Sequence, residues 1–252
     1  MKTVFDFGMY DASDTIYYLE EGFKVVAVEA NPGLAERARS ILSNYISQHR
    51  LDVINAAISN DNNDVQLIVS GSDLGSSSSN ADLVANKVPI GKYTVPGITT
   101  AQIFQRYGIP YYLKVDIEGQ DHLCVKALSK KERPEYLSFE ISNKDVDGLL
   151  DHLESVGYTR FKLINQRNFR EISNENNLRD RCSRKLMNLM GYGEPSFIKY
   201  HGRFFSVGHS SGPAPWCSDG QWSSADRLSR QWNNIKEQVE IGGAVWYDLH
   251  AN

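Results

Sequence analysis

The segment Thr3 to Pro32, TVFDFGMYDASDTIYYLEEGFKVVAVEANP, constrains the fold more than any other stretch. It reads as a buried strand (Thr3 to Phe7), a tight turn at Gly8, a short helix, and a second buried strand (Val25 to Val28) ending on the carboxylate of Glu29. An acid about 20 residues beyond the glycine of a strand–turn–helix–strand unit matches the nucleotide-binding half of a doubly wound sheet. The turn backbone can bond one end of a ligand. The acid at the next strand tip can accept two ribose hydroxyls.

The turn also bears on which nucleotide. A dinucleotide site needs three glycines, so that backbone can crowd a pyrophosphate. Here the run is Gly8-Met9-Tyr10-Asp11-Ala12-Ser13, with one glycine and an aspartate that would repel a diphosphate. Asp6, just before the glycine, adds a second carboxylate. Such a site suits a ligand with a cationic end. S-adenosylmethionine, which carries an ammonium and a sulfonium, fits better than NAD.

Beyond Glu29, Asn31-Pro32 reads as a helix start, with Asn as cap and Pro in the first turn. Leu34, Ala38, Ile41, Leu42, Tyr45 and Ile46 recur at helical spacing to about His49. Strands are expected at Val53 to Ile58, Val65 to Val69, Tyr111 to Ile117, Tyr136 to Ile141 and Tyr158 to Asn165. Between them fall helices at Thr99 to Tyr107, after Gly119 (burying Leu123, Ala127 and Leu128), and after an Asn143 cap. The last of these carries the stripe Val146, Leu149, Leu150, Leu153 and Val156, and Gly157 ends it. Alternating strands and helices predict a parallel α/β sheet with right-handed crossovers. Gly71 to Asn80 and Lys87 to Gly97 read as loops, either solvated or forming a lid over a ligand.

The pattern breaks at Asn168 to Arg203, where Leu178, Cys182, Leu186 and Leu189 mark an amphipathic helix within an insert. From Arg160 to Arg203 there are ten Lys or Arg and four acids, a net +6 in a chain whose total is −4. That stretch is either a solvated face or a cap for an anionic acceptor. Phe204 to Val207 is expected to be the last strand of the sheet, followed by a turn at His209 to Pro213. Residues 214–252 then form a helical extension, opened by Ser223 and Asp226 and carrying Leu228, Trp232, Ile235 and Val239 on one face. One domain over 1–252 is expected.

The remaining composition excludes more than it assigns. A slightly acidic chain, 41% hydrophobic and 23% charged, gives no overall reason to bind nucleic acid or a membrane surface. No apolar run is long enough to span a bilayer, and the N-terminus lacks a signal pattern. Cys124, Cys182 and Cys217 are odd in number and lack metal spacing, so a reducing cytoplasm is the simplest setting.

Four blocks in order, DFGMYDASDT, VAVEANP, YYLKVDIEGQD and YLSFEIS, resemble the FkbM-type methyltransferases from Val4 to about Gln166, with a weaker echo at Gly208 to Pro213. The resemblance implies the class I methyltransferase fold: Rossmann-like, doubly wound, a mostly parallel seven-strand sheet, here with the helical insert before the last strand. It also implies S-adenosylmethionine as cofactor and O-methylation of hydroxyls on sugars or natural products. Asp6, Gly8, Glu29 and its neighbour Ala30 fall on the family's cofactor motifs, and Asp14 and Thr15 on the end of its first loop. Asp116, Glu118 and Gly119 match its Asp-x-Glu-Gly block, and Glu140 its fifth-strand acid. This chain departs from the family at Tyr10, Asp11 and Ala12, where an Asn and a second Gly are common; the change narrows the turn and removes an amide.

Methyl transfer needs an acceptor oxygen held in line with the methyl and a group to take its proton. Asp116 and Glu118, two apart at a strand end, are the catalytic candidates, with Asp116 also facing the cofactor. Other readings of neighbouring residues are a divalent metal at Asp116, Glu118 and His122, a base at His209, and a core position for Cys124. Three functions stay open: an adenosylmethionine-dependent transferase acting on a small-molecule or glycan hydroxyl, a degenerate methyltransferase fold serving as a scaffold, and an NAD-type enzyme.

Overall fold

A computed structural model of the chain describes residues 1–70, 89–117, 119–141, 145–172, 197–207, 209–242 and 247–252. β1 (Thr3–Phe7) and β2 (Lys24–Glu29) flank α1 (Ser13–Glu20), and β2 leads into α2 (Pro32–Ile41). The Asn31 side chain accepts from the Gly33 amide at 3.0 Å, with Pro32 in the first turn, as the sequence predicts. The helical stripe expected to run to His49 breaks at Leu42. A separate α3 (Ser43–Ser47) follows, and Ile41 is left 54% exposed.

β3 (Leu51–Asn55) is followed by β4 (Ala57–Ile58), β5 (Val65–Ser70), β6 (Pro89–Val95) and β7 (Gly97–Ile98). Of these only β3 joins the main sheet. β4 pairs with β7, and β5 pairs antiparallel with β6, so Val65 to Val69 forms a hairpin outside the sheet. α4 (Thr100–Tyr107) is closed by a reciprocal Thr99–Gln102 capping box and buries Ile103 and Phe104. β8 (Tyr112–Val115), α5 (Asp121–Lys126) and β9 (Tyr136–Glu140) come next. α5 buries Cys124 and Val125 rather than Leu123 and Ala127. α6 (Val146–Val156) buries the predicted stripe and ends at Gly157. Its cap is Asp145, which accepts from the Gly148 amide at 3.1 Å, while Asn143 lies outside the described residues.

β10 (Phe161–Asn165) and β11 (Arg170–Glu171) precede a two-stranded ribbon of β12 (Phe197–Tyr200) and β13 (Arg203–Ser206). The expected return of Phe204 to the sheet does not occur: β13 pairs only with β12, and Phe204 is 68% exposed. α7 (Ala225–Gly242) is capped by Ser224, whose Oγ accepts from the Arg227 amide. Ser223 instead bridges Phe161. The true final strand is β14 (Tyr247–Ala251), inside the segment expected to be helical. The predicted insert helix lies outside the described residues.

The main sheet therefore has eight strands rather than seven, in the order β11-β10-β14-β9-β8-β1-β2-β3. β14 lies antiparallel between β9 and β10. One face packs Phe5, Val26, Leu113, Leu137, Leu163 and Leu249 against α4, α6 and α7. The other face carries a transverse row of buried polar groups in direct register: Asp6, Lys114, Ser138, His250 and Lys162. Strand order reverses between β2–β1 and β8, so the crevice at the carboxyl ends of β1 and β8 is where an open α/β sheet binds ligands. Among the described residues no helix is long and apolar enough to cross a membrane.

Candidate active site

The crevice is built from the end of β1. Gly8 has φ 82, and a Cβ there would lie 1.7 Å from the carbonyl oxygen of Asp116, so only glycine lets the loops after β1 and β8 meet. Tyr10 (φ 51) and Ala12 (φ 71) also adopt left-handed backbone, Ala12 at the position where the resemblance places a second glycine. The turn's donors are largely satisfied internally. The Gly8 and Met9 amides bond the Val28 carbonyl, Ala12 bonds the Met9 carbonyl, and Ser13 bonds the Asp11 side chain.

Glu29 closes the other wall from the tip of β2. Its Oε2 accepts from the Tyr10 amide at 2.8 Å, and its Oε1 accepts from the Asn31 amide at 2.7 Å. Each oxygen keeps a second lone pair, so the carboxylate is held in place and can still accept two hydroxyls. Burial pushes its pKa up to about 7, against the pull of these two amides and of Lys114. Ala30 follows it but packs toward Ala57, Leu67, Val69 and Val95, and its carbonyl accepts from Asn55.

Between these walls sits Lys114, 3% exposed within an otherwise apolar strand. Its Nζ donates to the Gly8 carbonyl at 2.9 Å and lies 3.1 Å from Asp6, 3.6 Å from Asp14 and 3.8 Å from Asp116. Thr15 Oγ1 donates to Asp6 Oδ2 at 2.6 Å. Asp14 is taken by the chain's own C-terminal half: the Ser210 hydroxyl donates to one oxygen and the Ser211 amide, at 3.0 Å, to the other. Ser211 Oγ also reaches Asp116 at 3.5 Å. Asp6 and Asp14 are sealed, whereas the Asp116 side chain is 31% exposed and faces the crevice. Burial raises the pKa values of Asp14 and Asp116 above the ordinary carboxylate range, with Lys114 opposing.

The fold thus gathers Asp6, Gly8, Asp14, Thr15, Glu29 and Asp116 around one crevice. Thr15 and Asp14 support it from behind, and Glu29 and Asp116 line it. Glu118 lies outside the described residues. Among those described, no group of three His, Cys, Asp or Glu is placed to hold a metal ion. His122 is exposed, and His209 stacks on the Tyr10 ring at 5.3 Å. Cys124 is fully buried core, as its stripe predicts.

Residues 6–160 match the methyltransferase FkbM domain family. The chain belongs to that family. This FkbM domain occupies the strands that build the crevice, from Asp6 on β1 to Arg160 just before β10. No curated protein matches the sequence. Among solved structures, the chain resembles a precorrin-6y C5,15-methyltransferase from Geobacter metallireducens at 9% identity and TM-score 0.43, covering 100% of this chain and 78% of that one. A second is the StiE O-MT fragment 942–1257, at 11% identity and TM-score 0.43, covering 99% and 67%. A third is the methyltransferase domain of a bacterial CtHen1, at 12% identity and TM-score 0.37, covering 65% and 80%.

The crevice also uses residues that a linear reading passes over, some of them outside the matched FkbM domain. Lys114 was visible as a lysine between Leu113 and Val115, a position that alternation sends into the core. Ser210 and Ser211 fall in the weaker echo at Gly208 to Pro213, but nothing local points to their partner Asp14, 196 and 197 residues away.

Proposed function

We propose that the chain is an S-adenosylmethionine-dependent methyltransferase acting on a hydroxyl of a sugar, glycan or natural-product small molecule. The observation that carries the reading is Glu29: a buried carboxylate at the tip of β2, fixed by two amides, with a free lone pair on each oxygen. Glu29 would hold the ribose, and the carboxylates around Lys114 would face the donor's cationic end. When bound, S-adenosylmethionine supplies a methyl on a sulfonium, whose thioether leaving group needs no proton. Asp116, the exposed member of the cluster, takes the acceptor's hydroxyl proton. Burial raises its pKa, which strengthens it as a proton acceptor, with Lys114 opposing. Ser211 and Lys114 fix the orientation of that carboxylate.

The internally bonded first turn favours a second reading, a methyltransferase fold retained as a scaffold. Calorimetry against S-adenosylmethionine, S-adenosylhomocysteine and NAD separates the readings. Micromolar binding of the first two alone supports the enzyme, and binding of none supports the scaffold. NAD binding alone rejects both.

A further inference from the structure

Asp248 is a further carboxylate at this edge, with no part in the proposed transfer. It lies on β14, opposite Glu140 on β9 and Ile164 on β10. Because Val115 pairs with Phe139, extending the register places Asp116, Glu140 and Asp248 on successive strands. They share one face, with neighbouring strands about 5 Å apart. The cofactor half of the crevice lies over β1 and β2, so this row runs along the opposite, acceptor half.

The Asp248 side chain is 1% exposed. Gln166 Nε2 donates to its Oδ1 at 2.8 Å, while its Oδ2 is buried with no hydrogen-bond partner among the described residues. Burial first, and the charge of Asp116 second, hold this carboxyl well above the usual range. The buried cation that could answer it, Lys114, is already shared among Asp6, Asp14, Asp116 and the Gly8 carbonyl. A buried acceptor left unpaired is costly, so each one in a native fold calls for a reason. Among the described residues no three His, Cys, Asp or Glu are grouped to hold a metal ion. An ammonium carries three donors and one positive charge, so it can pair with a carboxylate oxygen that has no other donor.

We propose that Asp248 is an acceptor-binding residue, and that the molecule methylated at this site presents a protonated amine to it, as an amino sugar or another amino alcohol does. The inference rests on the methyltransferase reading and deepens it: the hydroxyl is the methylated group, and the amine sets which hydroxyl-bearing molecules enter. Residue 248 then acts through acceptor affinity and leaves cofactor affinity alone.

The test uses the full chain, methyl-labelled S-adenosylmethionine, and a small-molecule cell extract split by cation exchange at pH 7. Label is expected in the retained fraction, and prior N-acetylation of that fraction should abolish it. Asp248→Asn should raise the acceptor KM roughly 10- to 150-fold, with S-adenosylhomocysteine affinity unchanged and a melting temperature equal to or above that of the parent. Label in the unretained fraction, label that survives N-acetylation, or no label from a protein that binds the donor overturns the proposal. An Asp248→Asn protein with unchanged acceptor KM does the same, and the acetylation arm decides without the variant if that variant fails to fold. Failure to bind S-adenosylhomocysteine is a separate readout, and rejects the methyltransferase reading itself.

Discussion

Cofactor affinity should rise with pH through neutrality, and Glu29 should be the cause. Its pKa is held at about 7 chiefly by burial, with the Asn31 and Tyr10 amides and Lys114 pulling it down and Asp6 pushing it up. Ribose hydroxyls donate to the ionised form, so the protein must give up a proton to bind when it starts below pH 7. With a pKa near 7, about one-tenth of the carboxyl is ionised at pH 6 and about nine-tenths at pH 8, a tenfold gain in affinity or ~1.4 kcal/mol. Stability moves the other way. From the ordinary 4.5 to about 7 the folded chain binds more protons than the unfolded one, so this group's contribution to stability falls as pH rises. Titration calorimetry with S-adenosylhomocysteine from pH 6 to 8 reads the effect without turnover. Asp14 and Asp116 are shifted in the same direction, so Glu29→Gln isolates the cause and should flatten the profile. Glu29→Ala should weaken binding at pH 8 by about 1–3 kcal/mol, the cost of losing charged hydrogen bonds. A flat parent profile, or the same slope in Glu29→Gln, would refute the assignment of residue 29 to the ribose.

Other positions give sharper structural outcomes. Gly8→Ala places a methyl 1.7 Å from the Asp116 carbonyl oxygen in a left-handed conformation, and should cost about 2–5 kcal/mol in denaturant unfolding; an unchanged midpoint would mean the two loops do not meet there. Lys114→Met strands Asp6 and Asp14 without their cation, an expected loss of about 3–5 kcal/mol at pH 7 that adding Asp6→Asn should partly restore. A double variant no more stable than the single one would break that link. Asp116→Asn should reduce kcat by about 10²–10⁴-fold with little change in melting temperature, and full turnover would remove Asp116 from the proton transfer.

The N-terminal wall of the crevice was legible because its determinants are local. Asn31 and Pro32 cap α2 from adjacent positions, Gly8 is the one glycine of the turn after β1, and Glu29 directly ends the apolar run of β2. The C-terminal strands were not, because their partners are distant. Tyr-Asp-Leu-His-Ala at 247–251 alternates apolar and polar residues as an edge or half-exposed strand does, and only the completed fold buries Asp248 and His250 and makes it a central strand. Arg203–Ser206 shows the converse: two phenylalanines suggest a core strand, yet only Phe205 turns inward from the ribbon while Phe204 faces out. The serine pair on Asp14 joins residues almost 200 apart, a contact no spacing rule anticipates.

A crystal structure of the chain with S-adenosylhomocysteine would show whether Glu29 holds the ribose. The account predicts both ribose hydroxyls within about 2.6–3.2 Å of the Glu29 carboxylate oxygens. Density for the adenosyl group anywhere other than the tip of β2, or a Glu29 side chain turned away from it, would contradict the account.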